Sequence, residues 1–142
     1  MTDKHVIWCD RGWQPVRFGF CPSRAAWKRA LKNLGAPQRD PYPTSEACTY
    51  DLESDGKTSV LVTLGPKVEE RYSRSEIAGL LCHEAVHVWQ TIRKVIGEDE
   101  PSIEFEAYSV QAIFVQLYQA WLDTRAPDEM LAACAQRKKV KP

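Results

Sequence analysis

The chain has 142 residues, 44% of them hydrophobic, and its 19 basic side chains balance 19 acidic ones. That is enough to bury one core and too little for two full-sized domains, and a formal charge of zero gives no overall argument for a nucleic-acid partner. No apolar run approaches the ~20 residues needed to span a bilayer, and Met1-Thr2-Asp3-Lys4-His5 does not open a secretory signal, so a soluble protein with no membrane partner is expected.

Five cysteines, Cys9, Cys21, Cys48, Cys82 and Cys134, form no C-x-x-C pair and are odd in number, which predicts reduced thiols and a cytoplasmic location. There is no repeat or low-complexity tract. The expected organisation is a single domain over 1–136 followed by a basic tail over 137–142, with Arg137-Lys138-Lys139-Val140-Lys141 read as solvated. Nothing in the pattern sets an oligomeric state.

Taken in order, Val6-Ile7-Trp8 and Val16-Arg17-Phe18-Gly19-Phe20 read as short strands joined by a turn around Asp10-Arg11-Gly12. Ser23 caps a helix through Asn33 that presents Ala26, Trp27, Ala30, Leu31 and Leu34, with Gly35 and Pro37 ending it. Pro41-Tyr42-Pro43 is a stiff loop, expected to overhang the cleft. Residues 47–64 are the clearest hairpin: Ala47 to Leu52, an Asp55-Gly56 turn, then the β-branched run from Thr58 to Leu64.

A helix should start after Ser73, because Ser73-Arg74-Ser75-Glu76 is a capping box, and it should close at Gly97. Ile77, Ala78, Leu81, Ala85, Val88, Trp89, Ile92 and Val95 fill one arc of its wheel. Glu76, His83, His87, Gln90 and Lys94 occupy the opposite, wet arc, with Glu84 at its edge. Cys82 projects about 100° from His83 and is expected to be a core thiol.

His83-Glu84-Ala85-Val86-His87 has the H-E-x-x-H spacing. Side chains at i and i+4 lie about 40° apart around a helix, so both imidazoles can reach one Zn²⁺ while Glu84 stays close enough to take a proton from an activated water. The plainer alternative is a pair of ordinary histidines on the wet face of an amphipathic helix.

A third ligand should come from the next helix, which Ser102 or an upstream acid caps and which runs to Leu122, antiparallel to the first. Its apolar stripe is expected at Ile103, Ala107, Val110, Phe114, Leu117 and Trp121. Glu104 and Glu106 flank that stripe on opposite sides. Glu104 is favoured as the ligand because it shares a face with Tyr108 and Gln111, whereas Glu106 sits beside Val110 and Ile113.

These residues resemble the zincin metallopeptidases of the gluzincin branch, in which a helix bearing H-E-x-x-H is followed by a second helix that supplies a glutamate. The resemblance implies a compact α+β zincin-like domain with a small, mostly antiparallel sheet, His83, His87 and Glu104 as Zn²⁺ ligands, and Glu84 as general base. Many members carry an aspartate four residues after the ligand glutamate; Tyr108 stands there in this chain. The glycine and third histidine of the metzincin branch are absent after His87. The stretch from Cys82 to Gln111 is also similar to small zincin-like proteins encoded by bacteriophages and prophages.

The expected activity is hydrolysis of a peptide bond in a peptide or protein substrate lying along the strand from Val60 to Leu64, with backbone pairing supplying affinity. Tyr108, Tyr72, Tyr42 and His5 are candidates to stabilise the oxyanion. The alternative is a zincin-like binding or assembly module whose metal is structural or absent.

Overall fold

The computed structural model describes residues 4–36 and 41–124. The tail over 137–142 and Cys134 lie outside them. Four strands, β1 (Ile7–Trp8), β2 (Arg17–Cys21), β3 (Ala47–Ser54) and β4 (Lys57–Leu64), form one mixed sheet in the order β1-β2-β4-β3. The helices are α1 (Arg24–Asn33), α2 (Val68–Arg71), α3 (Arg74–Ile96) and α4 (Ile103–Asp123). The fold is α+β, as the sequence predicts, although β2 and β4 run parallel while the two outer pairings are antiparallel.

The β3–β4 hairpin turns on Asp55 (φ 52°) and Gly56 (φ 72°), and two consecutive positive φ values match the twist of the flanking strands. It pairs Ala47 with Leu64 at one end and Ser54 with Lys57 at the other. β4 is therefore paired on both sides, with β2 across Phe18↔Val60 and with β3 across Asp51↔Val60. This corrects the expected substrate strand: Val60 to Leu64 is interior and buried, and has no free backbone edge to offer. Among the described residues, the open edge beside the H-E-x-x-H helix belongs to β3.

Strand alternation divides the core between the two faces of the sheet. Phe18, Phe20, Val60, Val62 and Leu64 pack under Ile77, Leu81, Ala85, Val88 and Ile92 of α3 and Ile113, Leu117 and Trp121 of α4. Cys21, Leu52 and Leu61 face the other way and cover Ala26, Trp27, Ala30 and Leu31 of α1. Ser23 caps α1 by accepting the Ala26 N–H, as its sequence predicts.

α3 begins at the predicted capping box, with the Ser73 hydroxyl accepting from Glu76 N and the Glu76 carboxylate accepting from Ser73 N, and it ends at Gly97 with φ 70°. α4 starts at Ser102, whose hydroxyl accepts from Phe105 N. The two helices are antiparallel: Glu106 at the start of α4 bonds Trp89 and Arg93 late in α3, whereas Trp121 near its end donates to Glu69 in α2, just ahead of α3.

The phase of α4 differs from the expected stripe. Ile103 is 85% exposed and Ala107 is also exposed, while Ile113, Leu117, Ala120 and Trp121 are buried. Phe105 fixes that phase, because its ring meets Trp89 edge-on at 5.3 Å and stacks on Trp13 at 6.4 Å. The anchor at this end is thus an aromatic contact from the loop between β1 and β2, which helical periodicity alone does not encode.

Candidate functional site

His83 and His87 stand on the exposed arc of α3, and their Nε2 atoms are 3.1 Å apart. Two nitrogens each ~2.0–2.1 Å from a tetrahedral zinc are separated by about 3.3 Å, so the pair has close to the bite that one metal requires. The same separation suits an N–H···N bond when His83 carries its proton on Nε2. Gln90, one turn further on, places Oε1 2.9 Å from His87 Nδ1. With that oxygen facing the ring, Nδ1 donates and Nε2 keeps its lone pair toward His83, the tautomer a metal-binding histidine needs.

Glu84 does not share the wet arc. It is 5% exposed and leans against β3, where Thr49 Oγ1 donates to Glu84 Oε2 at 2.6 Å and also lies 3.3 Å from the Glu84 carbonyl oxygen. The physical reason is its place on the helix: about 100° from His83, it sits beside the Ile77–Val88 side of the buried arc and closes over the edge strand. A buried carboxylate keeps its place only with hydrogen-bond partners, and Thr49 supplies one. Cys48, next in the strand, has its thiol pushed up by burial and by the neighbouring Glu84 carboxylate.

A groove follows the line between β3 and α3. On one side of the histidine pair is a cavity of about 600 Å³ lined by Ser45, Glu46, Ala47, Tyr72, Gly79 and Leu80 among others, and on the other a cavity of about 510 Å³ that includes Cys48, Asp51, Gln90, Thr91 and Lys94. Both share Ala47, His83 and Glu84. Thr91 Oγ1 donates to Asp51 at 2.8 Å, a second tie between the helix and the strand.

The two acids of α4 have separate surroundings. Glu106 accepts from Trp89 Nε1 at 2.9 Å and from Arg93 at 3.3 Å, which commits it to the α3–α4 interface. Glu104 is exposed on the first turn, on the outward face it shares with Tyr108 and Gln111. Among the described residues no three His, Cys, Asp or Glu side chains gather closely enough to hold a metal ion. The structure thus brings His83 and His87 together, with Glu84 lining the same groove, and does not bring Glu104 to them.

Of the four candidate oxyanion donors, only Tyr72 lines the groove, and its hydroxyl donates to Glu46. Tyr108 is 66% exposed on α4, and His5 lies against Arg29. Tyr42 packs edge-on to Trp27 and donates to the Leu64 carbonyl, so the loop that carries it covers α1 rather than the histidine groove. Cys82 is exposed, which corrects the expectation of a core thiol. At 260° on the wheel from His83 it falls on the far side of the wet arc, outside the sheet-facing half.

Thr49 and Gln90 are the groups that sequence reading did not assign. Gln90 had a signal, since it lies three residues after His87 on the same face. Thr49 had none, because which strand residue faces which helix turn is a tertiary fact.

No family model, curated protein or solved structure matches the chain. Among the described residues no helix is long and apolar enough to cross a membrane.

Proposed function

We propose that the protein is a zinc-dependent peptidase whose centre lies in the groove between α3 and β3. The observation that carries this reading is the 3.1 Å approach of His83 and His87 Nε2, with Glu84 on the same turn and an open strand edge alongside. His83 and His87 would hold the metal; Glu104, the third ligand that the family resemblance implies, is exposed on the outward face of α4 and is not gathered with them. When bound, zinc would acidify a coordinated water and polarise a carbonyl oxygen.

The rest follows from the chain's own groups. Glu84 Oε2, held by Thr49, leaves the second carboxylate oxygen to accept a proton from the attacking water and return it to the departing amine. The outer edge of β3, from Ala47 to Ser54, which pairs with no strand among the described residues, offers backbone N–H and C=O groups to an extended substrate segment, and this pairing tolerates many side chains. Tyr72 is the candidate tyrosine that lines the groove, and donating to an oxyanion there would require its hydroxyl to leave Glu46.

The test is Glu84→Gln, which keeps side-chain shape and removes the base. Wild type and variant should bind equal zinc by mass spectrometry, while cleavage of a peptide library falls by ~10² or more in the variant. Equal, negligible turnover with zinc bound in both would favour a binding or assembly module. That second reading draws on the lack of a gathered three-ligand set among the described residues.

A further inference from the structure

The groove differs on its two sides. Toward the start of α3 its walls are Ala47, Tyr72, Gly79 and Leu80, and the charged side chains lining it, apart from the histidine pair's own Glu84, are the carboxylates of Glu46 and Glu76. Toward the end of α3, again leaving aside Glu84, which lines both, Asp51 and Lys94 offset one another. The first cavity therefore combines an apolar wall with negative charge, and the second has no net sign.

Gly79 sharpens the contrast. It lies inside α3, one turn before His83, where glycine is among the poorest helix formers. A Cβ built there would meet nothing within 4 Å, so no close packing requires its absence. What the missing side chain leaves is open room in the cavity wall. Glu76 is held ionised, its carboxyl kept below the usual range by the Ser73 backbone N–H. Glu46 accepts from the Tyr72 hydroxyl and stands 3.8 Å from Arg71, whose side chain is largely exposed, so its charge is only partly offset.

We propose that this cavity receives a lysine or arginine side chain of the substrate, its aliphatic stem along Ala47, Gly79 and Leu80 and its cation toward the carboxylates of Glu46 and Glu76. The assignment rests on the peptidase reading of the groove. Long cationic side chains lay their methylenes on apolar surface and keep the charged head in water, which is the arrangement this wall and rim accommodate. Each rim-exposed acid should contribute modestly, about fivefold in affinity.

The experiment uses fluorescein-labelled octapeptides with a central lysine, arginine, norleucine or glutamate. Binding to the full-length Glu84→Gln protein in the presence of zinc is followed by anisotropy, and the unlabelled peptides are given to the wild type for cleavage. Lysine and arginine peptides should bind about tenfold or more tighter than norleucine, and glutamate weakest. Glu46→Gln with Glu76→Gln, which preserves the capping geometry, should bring lysine down to the norleucine level. Gly79→Phe, filling the cavity and checked by circular dichroism to fold as wild type, should weaken every peptide. Equal binding of lysine and norleucine, no response to the double variant, or no peptide binding at all overturns the proposal. Lysine-selective binding without any wild-type cleavage overturns the peptidase reading and leaves the pocket standing; cleavage without basic preference does the reverse.

Discussion

Thr49 on the edge strand gives its hydroxyl to Glu84 on the histidine-bearing helix, Oγ1 to Oε2 at 2.6 Å. The bond joins β3 to α3 at the one buried carboxylate of the groove and fixes which of its oxygens faces the sheet. Removing the donor leaves a desolvated acceptor one partner short, at a cost of about 1–3 kcal/mol. Thr49→Val should lose that much stability in urea titrations, and Thr49→Ser should recover most of it. A peptidase should also lose turnover in Thr49→Val and regain it in Thr49→Ser, with zinc content unchanged. Should Thr49→Val unfold at the wild-type midpoint, the bond holds nothing in place.

The two acids of α4 separate structure from ligation. Glu106→Ala leaves the Trp89 indole N–H and the Arg93 guanidinium without their shared acceptor, so it should destabilise by about 1–2 kcal/mol. Glu104→Ala removes an exposed side chain and should change stability by less than about 0.5 kcal/mol. Zinc titration gives the complementary ranking: as third ligand, Glu104 should be worth at least ~10-fold in affinity and Glu106 little. An unchanged affinity in Glu104→Ala would remove Glu104 from the ligand set.

Elements defined by local chemistry were legible in the sequence. The Ser73 capping box, the Gly97 stop, the Ser23 cap and the Asp55-Gly56 turn are each decided within four residues of chain, and the structure has all of them. What required the third dimension was different in kind. The strand order that makes β3 the open edge and β4 interior depends on β2 pairing in parallel across about 40 residues of chain. The phase of α4 depends on Trp13 from a distant loop. The H-E-x-x-H spacing places two imidazoles on one face and Glu84 at the edge of the wet arc, but that Glu84 is buried could not be read from it, because the wheel has no record of the strand that covers it. The single turn of α2, entered through Lys67 at φ 66°, had no periodic signal at all.

Thr63 in β4 is fully buried, and its hydroxyl finds no hydrogen-bond partner among the described residues. It pairs across the sheet with Cys21 of β2 and Cys48 of β3, neither a strong acceptor. A buried polar group without a partner costs free energy that an apolar group of the same shape does not, so Thr63→Val should stabilise the protein by about 1 kcal/mol or more. Thermal unfolding should shift upward by a few degrees. A lower midpoint would mean that the hydroxyl has a partner.

The thiols give a test of burial that is independent of any activity. Burial pushes the Cys9 and Cys21 thiols up to about 12, Cys21 despite a backbone contact with Ser23 that pulls the other way. Only the thiolate is nucleophilic, and four pH units below such a value about one thiol in ten thousand is ionised, so both should resist iodoacetamide at pH 8. Cys82 is exposed on α3 and should be alkylated within the same period. Peptide mapping of the native protein should therefore find Cys82 modified and Cys9 and Cys21 free, with Cys48 slowed by partial burial and by Glu84. The sign of the pH response follows: raising the pH from 8 to 9 increases the thiolate fraction at Cys9 and Cys21 tenfold from a negligible base, so their labelling stays slow unless the protein opens. Rapid labelling of Cys21 in the folded protein at pH 8 would contradict the packing of α1 against the sheet.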